Sequence, residues 1–199
     1  MDLAGVKEYA IKRLNKEIDP HLLYHATYHT LDVYETSEKI ALAEKVNEKD
    51  IILIKTAALL HDMGFIDSFM NHESFATKIA SNVLPGFGYS SKDIQIINNM
   101  IMKTKLPQLP ETFNEMVLCD ADLDYLGRDD FYIHAHKLRI EWEFLGKPTS
   151  LIEWYQIQYD FLINHTYFTK YTEKIRQPIK QGYITELSEL LQIQNTKKQ

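Results

Sequence analysis

An imidazole and a carboxylate stand side by side, at His61 and Asp62, where an otherwise apolar helical segment ends in the sequence AALLHDMGF. Burying either group without a polar partner is costly in free energy. A bound metal ion would satisfy both groups, because imidazole nitrogen and carboxylate oxygen are metal ligands. The pair therefore predicts further ligands elsewhere in the chain.

A second histidine is expected to point into the same interior from a neighbouring helix. His29 lies in the middle of a predicted helix over 21–46, and His61 lies near the end of one over 50–61. Each shares a helix face with apolar residues at steps of three, four or seven. These apolar residues are Leu22, Ala26, Val33, Ile40 and Ala43 in the first helix, and Ile54 and Ala58 in the second. The spacing directs both imidazoles toward the point that Asp62 reaches.

The acidic segment CDADLDYLG supplies a further carboxylate. Helical spacing places Asp122 on one face with Leu118 and Tyr125, so its side chain is directed toward the core. Asp120 and Asp124 lie four residues apart and would repel each other by a few tenths of a kcal/mol on an exposed helix. Such a cluster in an apolar setting indicates a nearby cation.

The predicted ligand set is therefore His29, His61, Asp62 and Asp122. Two imidazoles and two carboxylates suit a divalent transition metal such as Mn, Fe, Ni or Zn, and Mg is also possible. The sequence does not select among these ions. Ligands of this kind leave coordination positions open for water and substrate.

The elements that must position these residues are all helical. Apolar periodicity and the Pro- and Gly-containing breaks predict an all-α fold, and no alternating β-branched segment indicates a strand. Asp19 with Pro20, Asp50, and Ser90 or Ser91 are predicted to begin helices. The predicted helices cover about 2–17, 21–46, 50–61, 71–83, 91–102, 112–126, 129–146, 149–165 and 168–193.

Three segments of the chain resemble the HD-domain metal-dependent phosphohydrolases. They are YHTLDV at 28–33, AALLHD at 57–62 and CDADL at 119–123. The resemblance extends over about 20–130, and it implies an HD-domain helical bundle to which additional C-terminal helices, about 131–199, are attached. On this interpretation 1–199 is a single HD-type domain.

The resemblance also implies which residues bind the metal and what the protein does. The family's four ligands correspond to His29, His61, Asp62 and Asp122. The stretch that begins at Asp122 is similar to the corresponding stretch of deoxynucleotide triphosphohydrolases, which favours Asp122 over Asp120. Members of the family hydrolyse phosphate monoesters or diesters, often of nucleotides. The expected substrate is therefore a nucleotide or a similar small phosphorylated metabolite.

Some members of this family bind two metals by means of extra histidines. His72 is one possible extra group here, but Lys105 stands roughly where binuclear members carry another histidine. Because a protonated lysine cannot ligate a metal, we expect a single metal, with Lys105 facing the substrate phosphate.

The remaining catalytic roles are assigned to neighbouring polar residues. Glu73 is predicted to be the general base, and Asp120 and Asp32 are the other candidates for that role. Asp120 could instead be an acceptor that orients a ligating histidine. His72 and Lys105 would neutralise charge on the phosphate oxygens, and His25 would flank the substrate. Each has a simpler interpretation: His72 and Glu73 as the capped first turn of a helix, Lys105 as solvated surface and His25 as a structural residue.

Composition limits the classes of partner. The 22 basic and 28 acidic residues give a net charge of -6, so stable nucleic-acid binding is not expected. The single cysteine excludes an intrachain disulfide and indicates a reducing compartment. No signal peptide or membrane span is predicted, which favours a cytoplasmic protein.

Three classes of function remain open. A metal-dependent phosphohydrolase fits the pattern best, and a non-catalytic module that binds a metal and a nucleotide for regulation is the alternative. A closed, purely structural metal site is the third. A homodimer is possible for any of them.

Overall fold

The structure, a computed structural model, describes the backbone of residues 1–196 and the side chains through Gln192. It is helical, without a strand among these residues, which confirms the predicted all-α fold. The end of the predicted C-terminal extension, 197–199, lies outside the described residues. No helix within the described part is both long and apolar enough to cross a membrane. The α-helices are α1 Leu3–Glu17, α2 Thr27–Ala43, α3 Glu48–Leu60, α4 His72–Val83, α5 Ser91–Lys103, α6 Phe113–Asp122, α7 Phe131–Phe144, α8 Leu151–Asn164 and α9 Lys170–Thr196.

The chain divides into two compact units, of which the first is Met1–Leu123 and the second begins at Asp124. The first unit is built around α3, which contacts α1, α2, α5 and α6. Every residue from Leu53 to Leu60 is buried. Apart from Lys55 and Thr56 this stretch is apolar on all sides of the helix, which is typical of a helix in the interior of a protein. The end of α3, where His61 and Asp62 follow, is consequently buried as well.

The predicted start of α2 at residue 21 is wrong. The helix begins at Thr27, because Asp19 forms a local turn instead of capping a helix. Its Oδ1 accepts hydrogen bonds from the backbone N–H of His21 at 2.9 Å and lies 2.8 Å from His21 Nδ1. Side chain to backbone bonds of this kind compete with helix formation. His25 therefore lies in a non-helical segment rather than one helical turn before His29.

Two other predicted helix starts have different outcomes. Asp50 is not the cap of α3, since Asn47 Oδ1 accepts a hydrogen bond from the backbone N–H of Asp50 at 3.0 Å and the helix begins at Glu48. Ser90 does cap α5, and it forms a reciprocal capping box with Asp93. Asparagine and aspartate are both good caps, so composition alone did not decide between Asn47 and Asp50.

In the second unit, an ion pair joins the 3₁₀ helix Asp124–Gly127 to α9. Arg176 donates from Nε to Asp124 Oδ1 at 2.7 Å and from Nη2 to Asp124 Oδ2 at 3.0 Å. Arg128 Nη1 lies 3.5 Å from the same carboxylate, which is 2% exposed. Gly127 permits this approach, because a Cβ there would lie 2.5 Å from the Arg176 carbonyl oxygen. The positive charge beside Asp124 is therefore supplied by arginine side chains.

The second unit also buries a lysine. Lys180 is 1% exposed, and its Nζ donates to the His165 carbonyl oxygen at 2.6 Å and lies 5.0 Å from the centre of the Tyr167 ring. Burial disfavours the ammonium form and lowers the pKa of Lys180 to about 8. Folding at neutral pH thus has to desolvate a positive charge.

This lowered pKa predicts a pH-dependent free energy of unfolding. The unfolded chain, with a lysine pKa of about 10.4, binds more protons than the folded chain between about pH 8 and pH 10. The free energy of unfolding of the wild type should rise through this window relative to Lys180→Met, by up to about 3 kcal/mol. Urea unfolding at several pH values measures the difference. Lys174→Met, at an exposed position of α9, is the control and should track the wild type. Parallel curves for Lys180→Met and the wild type would contradict the prediction.

Candidate metal centre

Three predicted ligands meet in the first unit. His29 comes from α2, His61 directly follows α3, and Asp122 is the last residue of α6. One ligand atom from each lies within 4.8 Å of the other two. His29 Nε2 is 3.2 Å and His61 Nε2 is 3.5 Å from Asp122 Oδ1. These three residues form a group that could hold a metal ion, although His29 and Asp122 are 93 positions apart in the sequence.

Asp62 approaches the same point because the backbone turns after α3. Its φ of -99° and ψ of 1° lead into the 3₁₀ helix Met63–Ile66. Its Oδ2 then lies 3.2 Å from His61 Nε2 and 3.5 Å from His29 Nε2. The carboxylate is 4% exposed, so it belongs to the same buried cluster.

Two buried atoms of this cluster have no hydrogen-bond partner among the described residues. They are His61 Nε2 and Asp62 Oδ2. An unsatisfied polar group in the interior costs roughly 1–3 kcal/mol, and such groups are rare in folded proteins. A cation between the two atoms would satisfy both. The residues present therefore fit a metal ion.

The imidazoles and carboxylates of the cluster shift one another's pKa values. His61 Nδ1 lies 2.8 Å from the Ala58 carbonyl oxygen, to which it donates, and this arrangement turns Nε2 toward the carboxylates. Burial would raise the pKa of Asp62 and of Asp122, but the neighbouring imidazoles outweigh burial and lower the pKa of both. Burial would likewise lower the pKa of His61, and the two carboxylates raise it instead. Both carboxyl groups are thus ionised at neutral pH.

His72 and Glu73 lie beside this cluster at the start of α4. His72 Nε2 is 3.5 Å from Asp62 Oδ1 and 3.6 Å from Glu73 Oε1, and Glu73 is 6% exposed. Burial, partly offset by the two carboxylates, lowers the pKa of His72. A neutral imidazole therefore lies within 3.6 Å of both Asp62 Oδ1 and the buried side chain of Glu73.

Aromatic rings line one side of the centre. The His25 ring stacks on Phe65 at 4.1 Å between centroids, and Phe65 stacks on His72 at 3.9 Å. Tyr24 packs against His29 at 4.7 Å. His25 is therefore close to the cluster, which it reaches from a loop. Phe65 was not among the predicted site residues, because a phenylalanine after an apolar helix has the composition of ordinary core.

Lys105 lies at the exposed edge of the same region. Its Nζ donates a hydrogen bond to Asn71 Oδ1 at 3.2 Å. Asn71 has a left-handed backbone, with φ of 56°, and its side chain makes no capping bond to α4. Lys105 is thus held next to the residue that precedes His72.

Asp120 is placed differently from its neighbour Asp122. Its side chain is completely buried in α6, and it is not part of the three-residue ligand group. Asp124, the third acidic residue of the segment, belongs to the second unit and pairs with Arg176 there. Of this acidic segment, Asp122 is the residue that belongs to the ligand group.

Gln108 is a neighbour of the centre that the sequence did not indicate. Its Nε2 donates to Asp122 Oδ2 at 2.9 Å, from the loop between α5 and α6. The segment LPQLP reads as a loop because of its two prolines. A polar residue that is flanked by apolar residues and prolines is a weak signal, and it does not by itself point to a distant aspartate.

Comparison with known proteins gives two sequence matches. Residues 27–124 match the family model described as HD domain. An uncharacterized protein of Clostridium beijerinckii is 33% identical over 99 residues, a match that covers 47% of this chain and 62% of that protein. The chain thus matches less than two thirds of this relative's length.

Solved structures show the same fold at low sequence identity. A predicted HD superfamily hydrolase from an uncultured Thermotogales bacterium has a TM-score of 0.60 at 19% identity, covering 98% of this chain and 92% of the other. A Lactobacillus plantarum protein has a TM-score of 0.69 at 15% identity, with 98% and 96% covered. A Listeria innocua protein has a TM-score of 0.63 at 21% identity, with 97% and 99% covered.

The range that matches the family model begins two residues before His29 and ends two residues after Asp122. It therefore includes the whole buried cluster and the helices that carry it. This chain contains an HD domain over residues 27–124.

Proposed function

We propose that this protein is a metal-dependent phosphohydrolase that cleaves a phosphate ester of a nucleotide or a similar small metabolite. The observation that carries the proposal is that two buried atoms, His61 Nε2 and Asp62 Oδ2, make no hydrogen bond among the described residues although they lie inside a cluster of imidazoles and carboxylates. Burial of such a cluster is costly in free energy without a cation, and a bound cation would offset that cost. Its position in an HD domain supports a hydrolytic purpose.

Four residues would hold a single divalent ion, of the Mn, Fe, Ni or Zn type or Mg. When bound, the ion would polarise a phosphoryl oxygen and lower the pKa of a water molecule. An ion that prefers six ligands would keep two positions for these groups. The proposed ligands are His29, His61, Asp62 and Asp122.

Glu73 and His72 are proposed to accept the proton that the attacking water loses. Glu73 is buried next to His72 Nε2, which in turn lies 3.5 Å from Asp62 Oδ1. A proton that Glu73 accepts from water can then be shared with the neighbouring imidazole, whose lowered pKa keeps it neutral beforehand. Asp120, which is completely buried in α6, is the weaker candidate for this role.

Lys105 and His25 are proposed to contact the substrate. Lys105 is exposed and its ammonium is held beside Asn71, at the edge of the cluster, where it can bind a phosphate oxygen. His25 is partly exposed and stacks on Phe65, so it offers a ring edge close to the ligands. The substrate class follows from these two groups and from the family resemblance. The name of the Thermotogales protein, a predicted HD superfamily hydrolase, agrees with the reaction class.

The proposal is tested by turnover. In the presence of Mn²⁺, the purified protein is expected to hydrolyse at least one member of a panel of nucleotides and sugar phosphates. The products would be inorganic phosphate and the dephosphorylated nucleoside or sugar. Removal of the metal with EDTA should abolish this activity, and added Mn²⁺ should restore it. The control is the same protein with Mg²⁺ and Ca²⁺, which separates a transition-metal enzyme from one that accepts hard cations generally. Stoichiometric metal and nucleotide binding without turnover would favour the regulatory module instead.

A further inference from the structure

Gln108 holds one oxygen of a proposed ligand. The residue is 9% exposed and lies in the loop between α5 and α6. Its Nε2 donates to Asp122 Oδ2 at 2.9 Å and lies 3.5 Å from the Thr104 carbonyl oxygen. The other oxygen, Asp122 Oδ1, faces His29 Nε2 and His61 Nε2. The two oxygens of this carboxylate thus have different partners.

The orientation of the Gln108 amide follows from these partners. A carboxylate and a backbone carbonyl can only accept hydrogen bonds, so the NH₂ group and not the oxygen must face them. The amide oxygen, Oε1, is then left on the other side. It is buried and has no hydrogen-bond partner among the described residues. A buried acceptor of this kind normally has a donor, from the protein or from bound water.

We propose that Gln108 is the positioning residue of the metal centre. By holding Oδ2, it prevents Asp122 from turning both oxygens toward the ion and presents Oδ1 alone as a monodentate ligand. Its own Oε1 accepts a hydrogen bond from an O–H donor that enters with the metal, either a water or a substrate hydroxyl. This role rests on the proposed metal centre, because Gln108 acts through Asp122 and does not itself ligate.

Direct metal binding tests the role without reference to activity. Gln108→Leu keeps the approximate shape of the side chain and removes both polar atoms. Residues that orient metal ligands typically contribute 10–100-fold to affinity. Calorimetric titration with Mn²⁺ is therefore expected to show at least about tenfold weaker binding to Gln108→Leu than to the wild type. The matched control is Gln95→Leu, which removes an exposed glutamine amide whose Nε2 donates to Asn99 Oδ1 at 2.8 Å on the same helix.

A spectroscopic readout separates positioning from general support of the fold. The visible absorption of bound Co²⁺ reports coordination number and geometry, and it should change in Gln108→Leu and not in Gln95→Leu, since Asp122 is then free to bind through both oxygens. Gln108→Asn retains an amide that is too short to reach Asp122. It is expected to show the same loss of affinity, and it provides the test if Gln108→Leu does not fold.

The outcomes distinguish this inference from the function on which it rests. Failure of the wild type to bind Mn²⁺ or Co²⁺ overturns the proposed function itself. Metal binding by the wild type, together with unchanged affinity and an unchanged Co²⁺ spectrum in the folded Gln108 variants, overturns the role of Gln108 alone. Weaker binding with an altered spectrum in these variants supports it.

Discussion

Replacement of His61 by alanine is expected to remove the proposed metal and the proposed phosphohydrolase activity together. His61 Nε2 is buried, has no hydrogen-bond partner and lies within 3.5 Å of oxygens from both Asp62 and Asp122. Loss of a ligand at the centre of the cluster should weaken metal binding by more than the 10–100-fold that is typical of residues supporting a ligand. Activity should fall to background, because the proposed ion would supply the activation of water and the polarisation of the phosphate.

Metal content by elemental analysis and phosphate release on the best substrate of the panel measure the two effects. The matched control is His134→Ala, which removes a histidine of similar burial whose Nε2 lies 3.1 Å from Asp130 Oδ2 in the second unit. That variant should keep its metal and its activity per folded molecule, as judged by circular dichroism. A His61→Ala protein that retains metal and activity would refute the centre. One that loses its metal and remains active would refute its catalytic role.

Replacement of Gly64 by alanine is expected to lower the free energy of unfolding by about 3 kcal/mol or more, beyond the usual cost of a point mutation. A Cβ at this position would lie 1.8 Å from the His72 carbonyl oxygen, 2.6 Å from the His72 carbonyl carbon and 2.9 Å from the Ala76 backbone nitrogen. These are backbone atoms of α4, which cannot move as the end of a flexible side chain can. Relief of the clash must displace the start of α4, and with it His72 and Glu73.

Urea unfolding and steady-state kinetics measure the consequences of this displacement. Gly86→Ala is the matched control in the same unit, because a Cβ there meets no atom within 4 Å. It should leave both the urea midpoint and kcat near their wild-type values. The folded fraction of Gly64→Ala should show a lower kcat, since the proposed proton acceptor has moved. Equal midpoints for the two alanine variants would show that α4 does not depend on this close approach.

The sequence alone was sufficient for the fold class and for the helices that carry the centre. The nine predicted helices all occur in the described part of the chain, since buried faces repeat with the helical period and leave a local signal. The same local signal placed His29 and His61 on interior faces. Their adjacent residues and their order along the chain were enough to indicate the HD-domain family.

The helix starts were predicted less accurately, because several neighbouring polar side chains can cap the same helix. Asp19 and Asp50 have the side chains of good caps, but Asp19 bonds to His21 and Asn47 caps α3 in place of Asp50. Several short polar side chains near a boundary compete for the same backbone N–H groups. Their relative energies differ by less than composition can resolve. The consequence is that His25 approaches the centre from a loop.

Only the tertiary structure decided the partners of polar side chains that lie far apart in the sequence. The acidic segment offered three similar carboxylates and indicated a nearby cation, yet Asp122 meets the two imidazoles while Asp124 meets Arg176, 52 residues later. Gln108 was recognisable only as a loop residue until the fold brought its amide to Asp122. The apolar periodicity of the sequence indicates which face of a helix is buried, because every helical turn repeats the pattern. The partner of a buried charged side chain depends on how separate helices pack against each other, and no local sequence pattern indicates it.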